Sequence, residues 1–227
     1  MGEHLLDRPV WSALATVHAG FSLGTARARR FRADISPFGA VPDEDDASLD
    51  ELGKLVAATG GMVLAQVPPV VCPPGARQAM AAPALQMVYD GTAQAPRPDQ
   101  GIRRLGEADA PAMEALAALT RPGPFAARTV LLGEYWGIKE EGRLVAMAGE
   151  RLKQPGLTEV SGVCTHPDHR GRGWARDLCL LVTGRILARG EGAYLHVFAD
   201  NTPAIALYHA LGFRQRRPIH VAVLEPA

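Results

Sequence analysis

Apolar and polar positions alternate along this chain with two different periods. Short apolar runs bounded by Gly, Pro or turn dipeptides occur at GMVLAQV (61–67), LQMVY (85–89), YWGIKE (135–140), RLVAMAGER (143–151), TEVSGVCTH (158–166) and AYLHVFA (193–199), and predict strands. IRRL (102–105) predicts a further short strand, and FRQRR with IHVAVL a final strand pair. Glu141-Gly142 and Gln154-Pro155-Gly156 mark hairpin turns between neighbouring strands. Helical spacing replaces alternation elsewhere. Ser48 and Glu51 have capping-box spacing ahead of a helix over about 49–58. Asp109 is the expected N-cap, with Pro111 in the first turn, of a helix reaching about Leu119. Leu178, Leu181, Val182 and Ile186 share one face of a helix from about Trp174 to Arg189, which Gly190 ends. A last helix covers about 202–211.

This order of elements predicts an α/β fold with a mixed, mainly antiparallel sheet flanked by helices. GTAQAPRPDQG (91–101) has two prolines, terminal glycines and no apolar period, so it reads as a connector. The expected organisation is a small N-terminal α/β subdomain over 1–95 without a cofactor loop, a linker at 96–101, and the main domain over 102–227.

Composition narrows the function. With 47% hydrophobic residues in 227, the chain can bury a sizeable core. Lys+Arg and Asp+Glu both total 24, so no net charge draws it to nucleic acid or anionic membrane. Four arginines in ARARRFR (26–32) could neutralise phosphates, but acidic DEDD follows at 43–46 and a solvated face is the simpler reading. Three cysteines, no long apolar span and no signal-like N-terminus make a cytoplasmic location the default.

The chemistry concentrates at HPDHRGRGWA (166–175), a loop between a strand and a helix. Helix-start amides have no intrahelical partner and face outward, Gly171 and Gly173 let the backbone approach a ligand, and Arg170 and Arg172 add positive charge. Such a loop suits a phosphate. No Lys-Ser or Lys-Thr follows, and a third glycine is missing, so neither a Walker loop nor a dinucleotide fingerprint is present. Cys164, His166 and His169 could instead converge on zinc, though no fourth ligand is apparent.

CTHPDHRGRGWA followed by NTPAIALYHALGF resembles the GNAT superfamily of N-acetyltransferases over about residues 102–224. Arg170, Gly171, Arg172 and Gly173 match its acyl-CoA loop, Trp174 and Ala175 open the helix, and Asn201, Ala204, Tyr208, Gly212 and Phe213 match its later helix. Asp168 departs from the pattern by placing an acid where Gln or Arg is usual. The resemblance implies acetyl-CoA as co-substrate and a small-molecule or peptide amine as acceptor. It implies pantetheine contacts from Val163, Cys164 and Thr165 beside a bulge at Gly162, and a cofactor contact from Asn201. Direct attack on a thioester benefits from a base for the amine, donors for the oxyanion and an acid for the thiolate. Tyr208 is the expected acid, since its ordinary pKa of about 10 keeps it protonated at neutral pH. Glu159, sharing a strand face with Val163 and Thr165, is the expected base, with Glu150 and His196 as rivals. A CoA-binding sensor without turnover is the reading from another class.

Overall fold

Eight strands form one continuous sheet in the order β4-β11-β5-β10-β9-β8-β7-β6: β4 Met62–Gln66, β5 Ala76–Tyr89, β6 Arg103–Leu105, β7 Tyr135–Glu140, β8 Arg143–Gln154, β9 Leu157–Thr165, β10 Gly192–Phe198 and β11 Phe213–Pro226. The computed structural model describes residues 4–92, 94–98 and 100–227; Ala93 and Asp99, both inside the expected connector, lie outside the described residues. Every pairing in this sheet is antiparallel except β9 with β10. A separate three-stranded sheet, β1 Ser22–Gly24, β2 Arg29–Phe31 and β3 Gly39–Ala40, lies in the N-terminal half.

Among the described residues, five α-helices accompany the sheets: α1 Pro9–Ala15, α2 Asp46–Thr59, α3 Ala110–Thr120, α4 Trp174–Ala188 and α5 Thr202–Ala210. Alternation along β8 divides the core between two layers. Ala146 and Ala148 join a cluster with Leu178, Val182 and Ile186 of α4 and Tyr208 of α5. Met147 joins another with Met113 and Leu116 of α3. A third cluster unites Leu6, Val10, Phe31 and Phe38 with Leu152, Tyr194 and Ile219, so both halves of the chain contribute to one core.

Local details differ from the sequence expectations for identifiable reasons. Asp45, three residues before Ser48, caps α2: its Oδ1 accepts from the Ser48 amide at 2.6 Å, and Gly60 ends the helix at φ 79°. Asp109 is the N-cap residue of α3, as expected, but its side chain makes no capping bond to the helix: the carboxylate accepts from the Gly106 amide and pairs with Lys139 at 2.6 Å. The final strand pair is a single strand, β11, with a register shift between Gln215 and Arg217. β5 is far longer than 85–89 suggests, because its first part is largely exposed and carries no apolar period.

β5 also changes the domain picture. It belongs to the N-terminal half, yet it pairs with β10 on one side and β11 on the other. The connector at 96–101 therefore does not coincide with a break in the sheet.

Candidate active site

The site begins where two strands part. β10 pairs with β9 only from Gly192 to Tyr194, and from Tyr194 onward it is bonded to β5. Beyond Glu159, β9 keeps β8 on one edge and opens a wedge on the other. Between Ser161 and Cys164 the register against β8 slips by one residue, and Gly162 there adopts φ 64°, which places the expected bulge.

The wedge holds two cavities. The larger, about 650 Å³, is lined by Val163, Cys164 and Thr165 of β9, by residues 169–176 of the loop and α4, and by Asn201 and Tyr208 at α5. The smaller, about 190 Å³, lies deeper among Phe38, Val63, Ala84, Arg151, His196 and Val197. Arg121, Pro122, Val163, Asn201, Ala204 and Tyr208 line both. The fold thus gathers all the expected cofactor residues on the larger cavity.

At the loop, Gly171 and Gly173 have φ 81° and 78°, conformations that glycine adopts without penalty, and Gly173 is the N-cap of α4. Arg172 turns to the side: it pairs with Glu140 at 2.6 Å and lies over the Trp174 ring. The Arg170 guanidinium makes no hydrogen bond or ion pair among the described residues. Asp168 has an 82% exposed side chain, away from the cavity lining. Asn201 caps α5, its Oδ1 accepting from the Ala204 amide at 3.3 Å.

Tyr208 is 8% exposed, packs edge-on against Phe213, and has no hydrogen bond to its hydroxyl among the described residues. Burial raises its pKa well above the ordinary value, so the hydroxyl keeps its proton. Thr165 Oγ1 is buried without a hydrogen-bond partner on the same cavity wall. Burial also pushes the Cys164 thiol up to about 11, which leaves it a poor nucleophile near neutrality.

The three candidate bases are all engaged. Glu159 is fully buried; Arg151 Nε and Nη2 donate to its two oxygens at 2.9 and 2.7 Å, and the Leu152 amide and His196 Nδ1 complete the set. Burial alone would raise its pKa, but the adjacent guanidinium outweighs that and holds it far below the carboxylate range. His196 donates from Nδ1 to Glu159, so Nε2 is the acceptor, and the Gln86 amide already donates to it at 3.0 Å. Gln86 is fixed in turn, donating to Leu6 O and accepting from Arg216. Glu150, 1% exposed, pairs with Lys153 and Arg189.

Sequence reasoning missed four participants. Arg151 and Phe38 form a cation-π contact at 5.0 Å inside the small cavity. Arg97 of the connector binds Asp177 of α4 through Nε at 2.9 Å and Nη2 at 2.7 Å, and Nη2 also reaches Arg172 O. The Arg151–Glu159 pair was open to discovery, since both residues flank the turn at 154–156. Nothing in a proline-rich connector signals an ion pair 80 residues downstream.

No group of three His, Cys, Asp or Glu residues is placed to hold a metal among the described residues. In the 26–32 cluster, Arg27 pairs with Asp45, Arg29 bonds Leu14 O and lies over Trp11, Arg30 is buried, and Arg32 pairs with Asp34. No helix is long and apolar enough to cross a membrane among the described residues.

Comparison with known proteins agrees with this geometry. The family described as FR47-like protein matches residues 135–221. A solved structure from Novosphingobium aromaticivorans, placed in the GNAT family of acetyltransferases, is 42% identical over 99% of this chain and 100% of its own, with a TM-score of 0.92. The N-alpha-acetyltransferase RimI of Mycobacterium tuberculosis is 38% identical over 84 residues, 36% of this chain; the match spans 52% of that relative's length. A GCN5-related N-acetyltransferase from Kribbella flavida shares the fold at 19% identity and a TM-score of 0.65, covering 99% of this chain and 96% of its own. With one relative this similar from end to end, and the split strands, glycine loop and α5 residues in place, the chain belongs to the GNAT family of acetyltransferases.

Proposed function

We propose that this chain transfers an acetyl group from acetyl-CoA to the nitrogen of an amine by direct attack. The observation that carries the reading is the meeting of the two cavities at Val163 and Tyr208. One cavity has the residues to hold a CoA thioester and the other the room for an acceptor. The residues fit that co-substrate: an unpaired strand edge, a helix N-terminus opened by two left-handed glycines, an unpartnered Arg170, and an orphaned Thr165 hydroxyl. When bound, the thioester supplies an activated acetyl group.

The chain's own part is to position and to move protons. The loop amides of 171–175, with Arg170, hold the pyrophosphate, and the open edge at 163–165 holds the pantetheine arm and polarises the carbonyl. A new C–N bond replaces the C–S bond. The amine releases one proton to water, and Tyr208 gives one to the departing sulfur and recovers it from solvent. We assign Glu159 a holding role rather than that of the base, because its carboxylate is spent on Arg151 and His196. The cavity itself favours the neutral amine, since apolar walls and two lining arginines disfavour an ammonium ion.

The test is thiol release from acetyl-CoA over a panel of amines, with the acetylated amine identified by mass spectrometry. Release matched by product supports the enzyme. CoA binding with no release above the hydrolysis background would make the chain a ligand-binding module.

A further inference from the structure

The wall of the smaller cavity is mostly apolar, and two arginines, Arg121 and Arg151, contribute to it. Arg151 is 7% exposed and spends Nε and Nη2 on Glu159. Its third nitrogen, Nη1, makes no hydrogen bond or ion pair among the described residues. That nitrogen faces the cavity rim: a Cβ placed on Gly123, itself a lining residue, would lie 3.5 Å from it. Arg121, which lines both cavities, likewise has no side-chain hydrogen bond or ion pair among the described residues. Among the described residues, no Asp or Glu lines this cavity to receive a second cation.

A guanidinium edge facing an apolar space is costly until an acceptor satisfies it. A carboxylate matches it best, being planar, anionic and able to take charge-assisted N–H bonds. The Glu159 fork fixes the guanidinium plane, so the free edge is held in place before any ligand arrives. Arg121 supplies the net positive charge that the neutralised Arg151–Glu159 pair lacks. We infer that the acceptor is an amine bearing a carboxylate on a small apolar frame, an amino acid in the broad sense, with its carboxylate held by Arg151 Nη1 and Arg121. The apolar frame occupies the wall formed by Phe38, Val63 and Val197, and the amine is left toward Tyr208. This rests on the acyl transfer proposed above. Polyamines and lysine side chains, which bring a second cation or lack the anion, are disfavoured by the same walls.

Matched acceptors test it. Leucine, β-leucine and para-aminobenzoate are each compared with the corresponding amide and decarboxylated amine for kcat/KM in the thiol-release assay. At least one carboxylate-bearing member should exceed both of its partners by roughly tenfold or more. Arg151→Lys, which keeps a cation beside Glu159 but loses the Nη1 edge, should shrink that ratio; if it fails to fold, the exposed Arg121→Ala serves. Equal or better use of the uncharged members, or of peptides whose carboxylate is remote from the amine, would overturn the inference and leave the acetyltransferase reading standing. If no amine turns over, calorimetry of isocaproate with the CoA-saturated protein decides: binding weakened by Arg121→Ala upholds the carboxylate site alone, and absence of binding refutes it.

Discussion

Tyr208 lines both cavities and is buried, its hydroxyl protonated and without a hydrogen-bond partner among the described residues. Tyr208→Phe keeps the edge-on packing against Phe213 and removes only the proton donor. It should lower kcat by roughly 10²-fold and leave CoA affinity unchanged; a kcat within about twofold of wild type would move the acid elsewhere. His18 provides a second residue-scale test. Burial pushes its pKa down to about 4, while its ring sits against Arg151 O at 2.9 Å. Between that value and the unfolded value of about 6.5, the unfolded chain binds a proton that the folded chain refuses. Stability therefore rises with pH across this window, and falls by up to about 3 kcal/mol as pH drops through it. His18→Gln should flatten the dependence of the urea midpoint between about pH 4.5 and 6.5. A variant with the wild-type slope would contradict the assignment. The place of Tyr208 beside the cofactor loop was readable in the sequence because its helix carries a distinctive spacing. The role proposed for Arg151 was not, because only the fold shows which nitrogen is left over once Glu159 is bound.

The N-terminus of α4 shows how one element is tuned by another. Arg97 covers Asp177, a fully buried acid in the first turn of α4, and its Nη2 would lie 2.7 Å from a Cβ on Gly173. Arg97→Ala removes a cation next to the glycine loop and leaves the Asp177 carboxylate with one cation instead of two, Arg176 Nη1 remaining at 3.2 Å. Both changes oppose an incoming pyrophosphate, so CoA affinity should weaken by roughly fivefold to tenfold, more at low salt than at high. Calorimetry giving an unchanged affinity in the folded variant would detach the connector from the loop. The loop and α4 themselves were legible from glycine spacing and the apolar face of the helix. The Arg97 contact was hidden because it is electrostatic, and a connector is recognised by the absence of a period.

Across the whole molecule, the N-terminal half does more than lean on the catalytic half. β5 fills the gap between β10 and β11, and Phe38, Val63 and Ala84 wall the smaller cavity. We propose that residues 1–95 are needed both to complete the sheet and to shape the acceptor site. A chain beginning at Gly101 would leave β10 and β11 as facing open edges, so it should aggregate or fail to fold. A stable, monomeric and fully active truncation would refute that dependence. The strands flanking the glycine loop were readable from alternation and turn residues, whereas the length of β5 and its insertion were not, since six of its fourteen residues are exposed, five of them consecutive, and its partners lie far away in sequence. Whether both cavities serve one reaction at Tyr208 is decided by a crystal structure with CoA bound. Pyrophosphate is expected on the amides of 171–175, the pantetheine arm along the open edge of β9, and the thiol within hydrogen-bonding reach of Tyr208 Oη where the two cavities meet. CoA bound at another surface, or a thiol directed away from Tyr208, would rule it out.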